Sequence, residues 1–251
     1  MKSKYSVMLL AAVAAMLVTS MPVLASKTDD RIESSAKKSY VFKTYLKNDD
    51  VKVESKNGVV SLTGTVSDES HKSLAQETVA SLPGVKRVDN KLGVKGEQPA
   101  ENSDAWLITK VKTTLLFHSN VSATTEVTAK DGVVTLHGDA ASMAEKDLTT
   151  EYAKDIEGVK DVNNQMTVSG KPIKKETVGD KFDDASITAQ VKMALLGHRS
   201  TSAVHTKVET KNGVVTLSGK AKNAAEIDLV TKYVSDIKGV NRVKNKMTIG
   251  K

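Results

Sequence analysis

One short stretch decides the fold, and the chain carries it three times, as Asn57-Gly58-Val59-Val60-Ser61-Leu62-Thr63-Gly64, Asp131-Gly132-Val133-Val134-Thr135-Leu136-His137-Gly138 and Asn212-Gly213-Val214-Val215-Thr216-Leu217-Ser218-Gly219. An Asn-Gly or Asp-Gly pair beside alternating apolar residues is the strongest short signal for a β-hairpin, because a type I′ turn needs positive φ at both central positions. We therefore predict a two-residue hairpin turn in each copy. Its structural turn glycines are Gly58, Gly132 and Gly213.

A second block recurs downstream, beginning at Gly84-Val85, Gly158-Val159 and Gly239-Val240. It follows the turn glycine by 26 residues in every copy. The segment between the two blocks is therefore one structural piece of constant length. We predict three tandem domains, at residues 28–96, 103–170 and 183–250. Polar linkers at 96–102 and 171–182, each with one proline, connect them.

Each unit reads as helix, strand, strand, helix and strand. In the third unit Ile187, Val191 and Leu195 recur at the spacing of one helix face. Asp184 precedes them as a predicted N-cap, and Asp29 and Asp104 occupy the matching positions. The predicted fold class is α+β, with three tandem αββαβ modules, each of two helices packed on a three-stranded sheet. We expect no parallel βαβ crossover in any unit.

The N-terminus has the composition of a secretory signal. Lys2 and Lys4 precede an apolar run over 7–18, which is shorter than the ~20 residues that cross a bilayer. Val23 and Ala25 then occupy the two positions that a signal peptidase reads. We predict a signal peptide at 1–25, cleavage after Ala25, a periplasmic product and no integral membrane segment after cleavage. Without cysteine, the product cannot carry a lipid on an N-terminal cysteine.

The repeated pattern resembles the BON domain, the bacterial OsmY and nodulation domain. The resemblance lies in the aspartate at the first helix, in Gly-Val-Val-(Ser/Thr)-Leu-x-Gly, and in Gly-Val-x-x-Val-x-Asn, as in Gly84-Val85-Lys86-Arg87-Val88-Asp89-Asn90. It implies an αββαβ fold, an envelope location, a role of the OsmY type in osmotic stress, and phospholipid binding or chaperone-like help to exported proteins. It implies no catalytic residue. This chain has three modules where OsmY-like proteins often have two.

Clusters of reactive side chains are scarce in the sequence. The chain has no cysteine and five histidines, and it contains no motif of the zinc proteases, serine hydrolases, calcium loops or phosphate loops. Two of the histidines, His118 and His198, occupy equivalent positions, where the first unit has Lys43. The pattern is consistent either with a metal or proton site or with side chains at helix C-termini. We predict no enzyme activity, no metal and no cofactor.

The first helix of the second unit carries the predicted binding residues. Trp106 aligns with Arg31 and Ser186, both polar, so we expect its ring to face solvent. The predicted binding stripe consists of Trp106, Lys110, Thr113 and Phe117, with Lys112 beside it. An exposed tryptophan next to lysines suits a membrane interface or a protein partner, and the alternative is that Trp106 covers a neighbouring unit. We predict that Trp106→Ala weakens binding and leaves thermal stability nearly unchanged.

Charge is uneven along the chain, with net charges of +2, −4 and +5 on the first, second and third units. A basic third unit suits anionic lipid headgroups, yet its lysines are spread over every element, as on an ordinary solvated surface. Nucleic-acid binding needs a concentrated basic stripe with aromatic residues, so we exclude it. The leading hypothesis is a non-enzymatic periplasmic stress protein that binds phospholipid headgroups or exported, unfolded proteins. A structural adaptor that engages another envelope complex is the alternative, and the oligomeric state is left open.

Overall fold

The computed structural model describes residues 22–122, 124–170, 182–201 and 205–250. Most of the predicted signal segment lies outside these ranges. Within them, no helix is long and apolar enough to cross a membrane. The helices are α1 (Pro22–Lys38), α2 (Tyr40–Thr44), α3 (Glu69–Ala80), α4 (Asp104–Phe117), α5 (Met143–Lys154), α6 (Asp184–Gly197) and α7 (Ala224–Ser235).

The first and third units each contain a four-stranded sheet, in which the fourth strand is a short addition to the predicted three, and the second unit contains a three-stranded sheet and a separate two-stranded one. The strands are β1 (Asp50–Lys56), β2 (Val59–Val66), β3 (Arg87–Asn90) and β4 (Gly93–Val94), then β5 (Glu126–Lys130), β6 (Val133–His137), β7 (Asp139–Ala140), β8 (Asp161–Asn164) and β9 (Thr167–Val168), then β10 (Thr206–Lys211), β11 (Val214–Ala221), β12 (Arg242–Asn245) and β13 (Thr248–Ile249). A two-residue turn joins β1 to β2, with φ of 56° at Asn57 and 78° at Gly58. Both angles are those of a type I′ turn. The hairpins of the other two units also have positive φ at both turn residues, 54° and 84° at Asp131 and Gly132 and 51° and 72° at Asn212 and Gly213.

The three units share one strand topology. β1 and β2 pair antiparallel, and β3 then adds beside β2 in parallel. Parallel pairs also join β6 to β8 and β11 to β12. Our expectation of no parallel crossover was therefore wrong. The helix between the second and third strands returns the chain to the end of the sheet where the second strand began, so the third strand runs in the same direction.

The aspartates predicted as N-caps bind the hairpin turns. Asp184 lies one residue inside α6, whose N-cap is Asp183. The Asp184 carboxylate accepts hydrogen bonds from the backbone N–H groups of Asn212 and Gly213, at 2.8 and 2.9 Å. The same arrangement ties Asp29 to residues 57–58 and Asp104 to residues 131–132. The N-cap prediction was wrong because the two turn amides have no strand partner and need an acceptor.

The helix α6 lies at the centre of the molecule. Ten of its 14 residues are buried, because α3 of the first unit and α4 of the second unit both pack against it. The buried apolar side chains of the first and third units merge into one core cluster, which includes Ile32, Leu74 and Leu195. The second unit has a core of its own around Leu107, Val111 and Leu136. The three units therefore pack against one another and are not independent domains joined only by linkers.

Candidate interaction site

A cleft of about 500 Å³ opens where the three units meet. The start of α3, the linker after the first unit, α4 and the end of α6 form its walls. Apolar surface is contributed by Trp106, Met193 and Leu196. Leu196 keeps 54% of its surface exposed. A concave, mostly apolar surface at a junction between domains is the usual form of a binding site.

Trp106 is half-buried in the wall of this cleft. Its ring packs against the core of the second unit. Lys110, one turn later on α4, places its ammonium nitrogen 4.1 Å from the centroid of the Trp106 ring, which is a cation–π contact. Burial lowers the pKa of Lys110, and the nearby carboxylates of Glu157 and Glu101 act in the opposite direction. The positive charge of Lys110 is therefore partly withdrawn from solvent.

The structure brings three of the five predicted binding residues together. Trp106, Lys110 and Thr113 all line the cleft. Lys112 is exposed and lines a neighbouring depression, which shares Thr109 and Thr113 with the cleft. Phe117 is only 1% exposed and lies 5.6 Å from the ring centroid of Tyr45. The expectation that Phe117 belongs to an exposed stripe was wrong, because the first and third units cover the end of α4.

The prediction for Trp106 assumed that polar residues at equivalent positions face solvent, and one of them does not. Ser186 is fully buried. Its hydroxyl oxygen accepts a hydrogen bond from the backbone N–H of Val41 and donates to the carboxylate of Asp183. At this helix position the third unit therefore uses a serine to bind the first unit. Its polarity reflects a hydrogen bond between units and not exposure.

A segment around α2 covers this face of α6. Hydrogen bonds hold the segment there, among them those from the Tyr40 N–H to Asp183, from the Val41 N–H to Ser186 and from the Tyr45 hydroxyl to Gln190. The equivalent residues of α4 are Ser103, Trp106 and Lys110. The last two line the cleft. The α4 face that forms the wall of the cleft is therefore equivalent to the α6 face that the segment around α2 covers. Within the described part of the chain, this face is left open in the second unit.

A buried cluster of ionisable side chains joins the second and third units, and it has two equivalent halves. In one half His118 Nδ1 lies 3.2 Å from Asp236 Oδ2, and the Tyr152 hydroxyl donates to the same oxygen at 2.7 Å. In the other half the Tyr233 hydroxyl donates to Asp155 at 3.1 Å. His198 Nδ1 lies 3.3 Å from Asp155 Oδ2, an ion-pair distance without the alignment of a hydrogen bond.

The two halves of the cluster meet at the histidines. His118 Nε2 and His198 Nε2 are 3.4 Å apart. Both side chains are buried, at 0% and 2% exposure, and both residues are the C-caps of their helices, α4 and α6. The sequence left two interpretations open, a metal or proton site and side chains at helix C-termini, and the second describes where the histidines lie. Their position between two units was not predicted. In the described ranges no group of three or more histidine, aspartate or glutamate side chains could hold a metal ion.

Comparison with known proteins decides the family. The BON domain profile matches residues 28–96, 103–170 and 183–251, which together make up most of the chain. The chain belongs to the BON domain family. Among its relatives is the osmotically-inducible protein Y of Escherichia coli (strain K12), which is 34% identical over 143 residues, covering 57% of this chain and 70% of the relative.

Two further relatives match over a shorter part of their length. The outer membrane lipoprotein DolP of Haemophilus influenzae is 32% identical over 113 residues, 45% of this chain and 56% of the relative. The 21 kDa hemolysin of Actinobacillus pleuropneumoniae is 32% identical over 117 residues, 47% of this chain and 58% of the relative. This chain therefore spans somewhat more than half the length of either protein.

Burial and hydrogen bonding act in opposite directions on the ionisable groups between the second and third BON units. Burial lowers the pKa of His118, while the hydrogen bond to Asp236 opposes this shift. Burial alone would raise the pKa of Asp236, but hydrogen bonds from His118, Tyr152 and Ser119 outweigh it and hold the pKa below its ordinary value. The pKa of Asp155 is lowered against the effect of burial in the same way. Both carboxylates are therefore ionised at neutral pH.

Four members of this cluster were not among the residues predicted from sequence, namely Tyr152, Asp155, Tyr233 and Asp236. A signal was present, because histidine, tyrosine and aspartate recur together at equivalent positions of the second and third BON units. The first BON unit has Lys43, Thr78 and Ser81 at these positions. Histidine, tyrosine and aspartate thus occur together only at the equivalent positions of the second and third units, and these side chains form the contact between the two units.

Proposed function

We propose that this BON protein is a non-enzymatic component of the cell envelope that binds exposed apolar segments of exported polypeptides in its three-unit cleft. The observation that supports this proposal most directly is the apolar cleft. Its α4 wall corresponds to the face of α6 that the segment around α2 covers. The names of the relatives support the setting, since one is an outer membrane lipoprotein and another is osmotically inducible. The predicted signal peptide, with cleavage after Ala25, and the predicted domains at 28–96, 103–170 and 183–250 agree with it.

The apolar surface of the cleft supplies the binding energy in this proposal. Trp106, Met193 and Leu196 leave apolar area accessible at one place. Burying such area stabilises a complex by roughly 25 cal/mol per Å². One large apolar side chain of a bound segment, with the matching area of the cleft, would therefore contribute a few kcal/mol. An exposed charge pair contributes less, typically about 0–1 kcal/mol.

The charges of the cleft select between the two predicted partner classes. Among the residues that the structure describes, its lining carries three carboxylates, Asp68, Glu69 and Glu101, and one lysine, Lys110, which already contacts the Trp106 ring. Each cation near an anionic membrane adds about 1 kcal/mol of attraction, and carboxylates oppose it. The cleft is therefore unfavourable for anionic phospholipid headgroups and favourable for an apolar peptide segment flanked by lysine or arginine.

The covered face of α6 indicates what kind of segment fits. There the chain places Tyr40, Val41 and Tyr45 against the helix. The backbone N–H groups of the first two and the hydroxyl of the third donate to side chains of α6 and of its N-cap residue. A segment of another polypeptide with aromatic and β-branched residues would lie against α4 in the corresponding way. Such segments are exposed in exported proteins before they fold and are buried afterwards.

The test uses the single tryptophan of the chain, which lies in the cleft. A tryptophan-free peptide with a Tyr-Val-Phe-Leu core and lysine flanks is titrated into the protein, and the fluorescence of Trp106 is recorded. We expect saturable binding that Leu196→Ser weakens by roughly fivefold, because losing part of one leucine contact costs about 1 kcal/mol. Met143→Ser is the matched control, since Met143 is 58% exposed but lies on α5 away from the cleft.

Two further titrations separate the alternatives. The same peptide core with glutamate flanks should bind more weakly than the lysine-flanked one, because of the carboxylates in the lining. Vesicles of phosphatidylglycerol and of phosphatidylcholine should leave the fluorescence unchanged. If the vesicles shift the Trp106 emission and the peptides do not, the polypeptide proposal is wrong and the protein binds lipid. Equal effects of Leu196→Ser and Met143→Ser would exclude the cleft as the binding site.

A further inference from the structure

The two histidines of the buried cluster are directly connected to the cleft. Gly197, which lines the cleft, immediately precedes His198 at the end of α6. Thr114, which also lines the cleft, lies one helical turn before His118 on α4. The contact between the histidines is therefore part of what holds two walls of the cleft together.

The hydrogen bonding between the two histidines depends on how many protons they carry. A neutral imidazole has one N–H group and one acceptor nitrogen. Asp236 accepts from His118 at Nδ1, which leaves Nε2 of His118 as an acceptor. His198 can then donate from Nε2 across the 3.4 Å gap, and its own Nδ1 becomes an acceptor, 3.3 Å from the carboxylate of Asp155. Two acceptors face each other at that point.

One extra proton removes this conflict. A proton on Nδ1 of His198 makes an ion pair with Asp155 and keeps the Nε2–H···Nε2 bond to His118 intact. A second extra proton cannot be accommodated in the same arrangement. It would place an N–H group on both sides of the 3.4 Å gap and put two positive imidazolium groups in contact inside a buried site.

The other charged and titratable groups around the pair do not remove this limit. Asp155 and Asp236 each face one histidine at Nδ1 and leave the Nε2 gap untouched. The Tyr152 and Tyr233 hydroxyls already donate to these carboxylates, and burial raises the pKa of both tyrosines. The further neighbours in sequence and space are Ser119, Asn120, Glu151, Arg199, Ser200 and Lys238. Of these, Arg199 lies 3.8 Å from Asp155 on the side of His198, and Lys238 adds positive charge near His118.

We propose that His118 and His198 form a proton-operated latch between the second and third BON units. With one extra proton, on Nδ1 of His198, the units are held together and the cleft is complete, and with a second, on Nε2 of His118, the histidines repel each other and the units separate. The consequence for the cleft rests on the proposed function, whereas the latch itself does not. Acid would thus release whatever segment the cleft binds.

The absence of cysteine from the chain permits a direct test. Spin labels are attached at Thr128→Cys in the second unit and Lys211→Cys in the third, both on exposed strand positions, and the distance between them is measured by pulsed electron resonance. At neutral pH we expect one narrow distance. As the pH is lowered from 7 to about 4.5, we expect the distribution to become broad and longer, at a pH below the ordinary histidine value of about 6.5 because burial lowers the pKa of His118, and while Asp155 and Asp236 stay ionised.

Variants at the histidines test the cause of this change. In the double variant His118→Gln/His198→Gln the glutamines can hydrogen-bond without titrating, so the narrow distance should persist at the lower pH. His137→Gln is the matched control, and it should open like the unsubstituted protein because His137 lies on β6, outside the cluster. An unchanged distance in the unsubstituted protein, or opening of the double variant over the same pH range, would overturn the latch.

A measurement without substitutions covers the case in which the double variant does not fold. The ring carbons of the five histidines are labelled and followed by NMR through the same pH range. The signal of His118 should change at the pH at which the labels separate, because the second extra proton goes to its Nε2, and a change at a different pH would contradict the proposal. If the latch operates but the lysine-flanked peptide fails to bind at neutral pH, the proposed function alone is wrong.

Discussion

Gly197 of α6 lies so close to Thr114 of α4 that a β-carbon on the glycine would stand 2.6 Å from the threonine hydroxyl oxygen. The contact is at the crossing of two helices from different units, beside the histidine pair. We expect Gly197→Ala to destabilise the packing of these units by about 1–2 kcal/mol, because overpacking of a tight contact outweighs the gain of up to about 1 kcal/mol from a better helix former. Urea denaturation of the variant measures the loss.

The partner substitution provides the control for this prediction. Thr114→Ala removes the hydroxyl oxygen that the added β-carbon would meet. The double variant should therefore be no less stable than Thr114→Ala alone, within about 0.5 kcal/mol. A double variant that is destabilised by the sum of the two single changes would mean that the two residues do not contact each other in solution.

Ser186→Ala tests the hydrogen bond between the first and third units. The substitution leaves the buried backbone N–H of Val41 without this acceptor, and a lost buried partner costs about 1–3 kcal/mol. We expect a lower free energy of unfolding, measured by urea denaturation. Ser235→Ala is the control, because Ser235 is exposed and bonds only within its own helix. Equal stability of the two variants would contradict the interface as described.

Asn245 offers a prediction about the inner structure of a unit. Its side-chain N–H groups donate to the backbone oxygen of Ile227 and to the Thr231 hydroxyl of α7, and its oxygen accepts from the N–H of Met247. Asn164 and Asn90 bind their own second helices in the same way. We expect Asn245→Ala to cost about 1–3 kcal/mol. A loss of less than about 0.5 kcal/mol would show that water replaces these bonds.

Trp106→Ala is now expected to affect stability as well as binding. The ring packs against the core of the second unit, and truncation of a fully buried aromatic side chain costs about 3–5 kcal/mol. A half-buried ring should cost roughly half of that, visible as a lower melting temperature. The prediction of unchanged stability, made from the sequence, assumes a ring in solvent. A melting temperature equal to that of the unsubstituted protein would support that assumption after all.

Acid should destabilise the protein in two steps. For His118 the folded pKa lies below that of the unfolded chain, so the unfolded state binds more protons as pH falls below about 6.5, and stability decreases. Asp155 and Asp236 also have lowered pKa values. Their contribution is complete above about pH 4 and is lost as pH falls through the lower folded values. Urea midpoints measured from pH 8 to about pH 3 should show both steps.

Removing one histidine separates these two steps. In His118→Gln the first step should shrink while the carboxylate step below about pH 4 remains. Tyr152→Phe should instead affect the lower step, because Asp236 loses a hydrogen bond that favours its ionised form. If both variants follow the same pH curve as the unsubstituted protein, the cluster does not control acid stability.

Local structure could be predicted wherever it depends on residues that are close together in sequence. The Asn57-Gly58 turn, the helix faces and the order of elements follow from residues close together in sequence, and all are present. The direction of the third strand was predicted wrongly, although the intervening helix implied it. Asp184 was assigned to the nearest helix end, because the turn amides that it binds are 28 and 29 residues away in sequence.

What the sequence by itself determined is the module: three copies of one αββαβ unit, with the glycine turns and the family membership that the repeats indicate. Tertiary structure alone decided how equivalent positions differ. Arg31 is exposed, Trp106 lines a cleft and Ser186 is buried, although the three occupy one position of the repeated unit. The physical reason is that hydrophobic periodicity specifies which face of a helix meets its own sheet. It does not specify which of the remaining faces a neighbouring unit will cover, because that depends on contacts between residues about 80–145 positions apart, such as His118 with His198 and Val41 with Ser186.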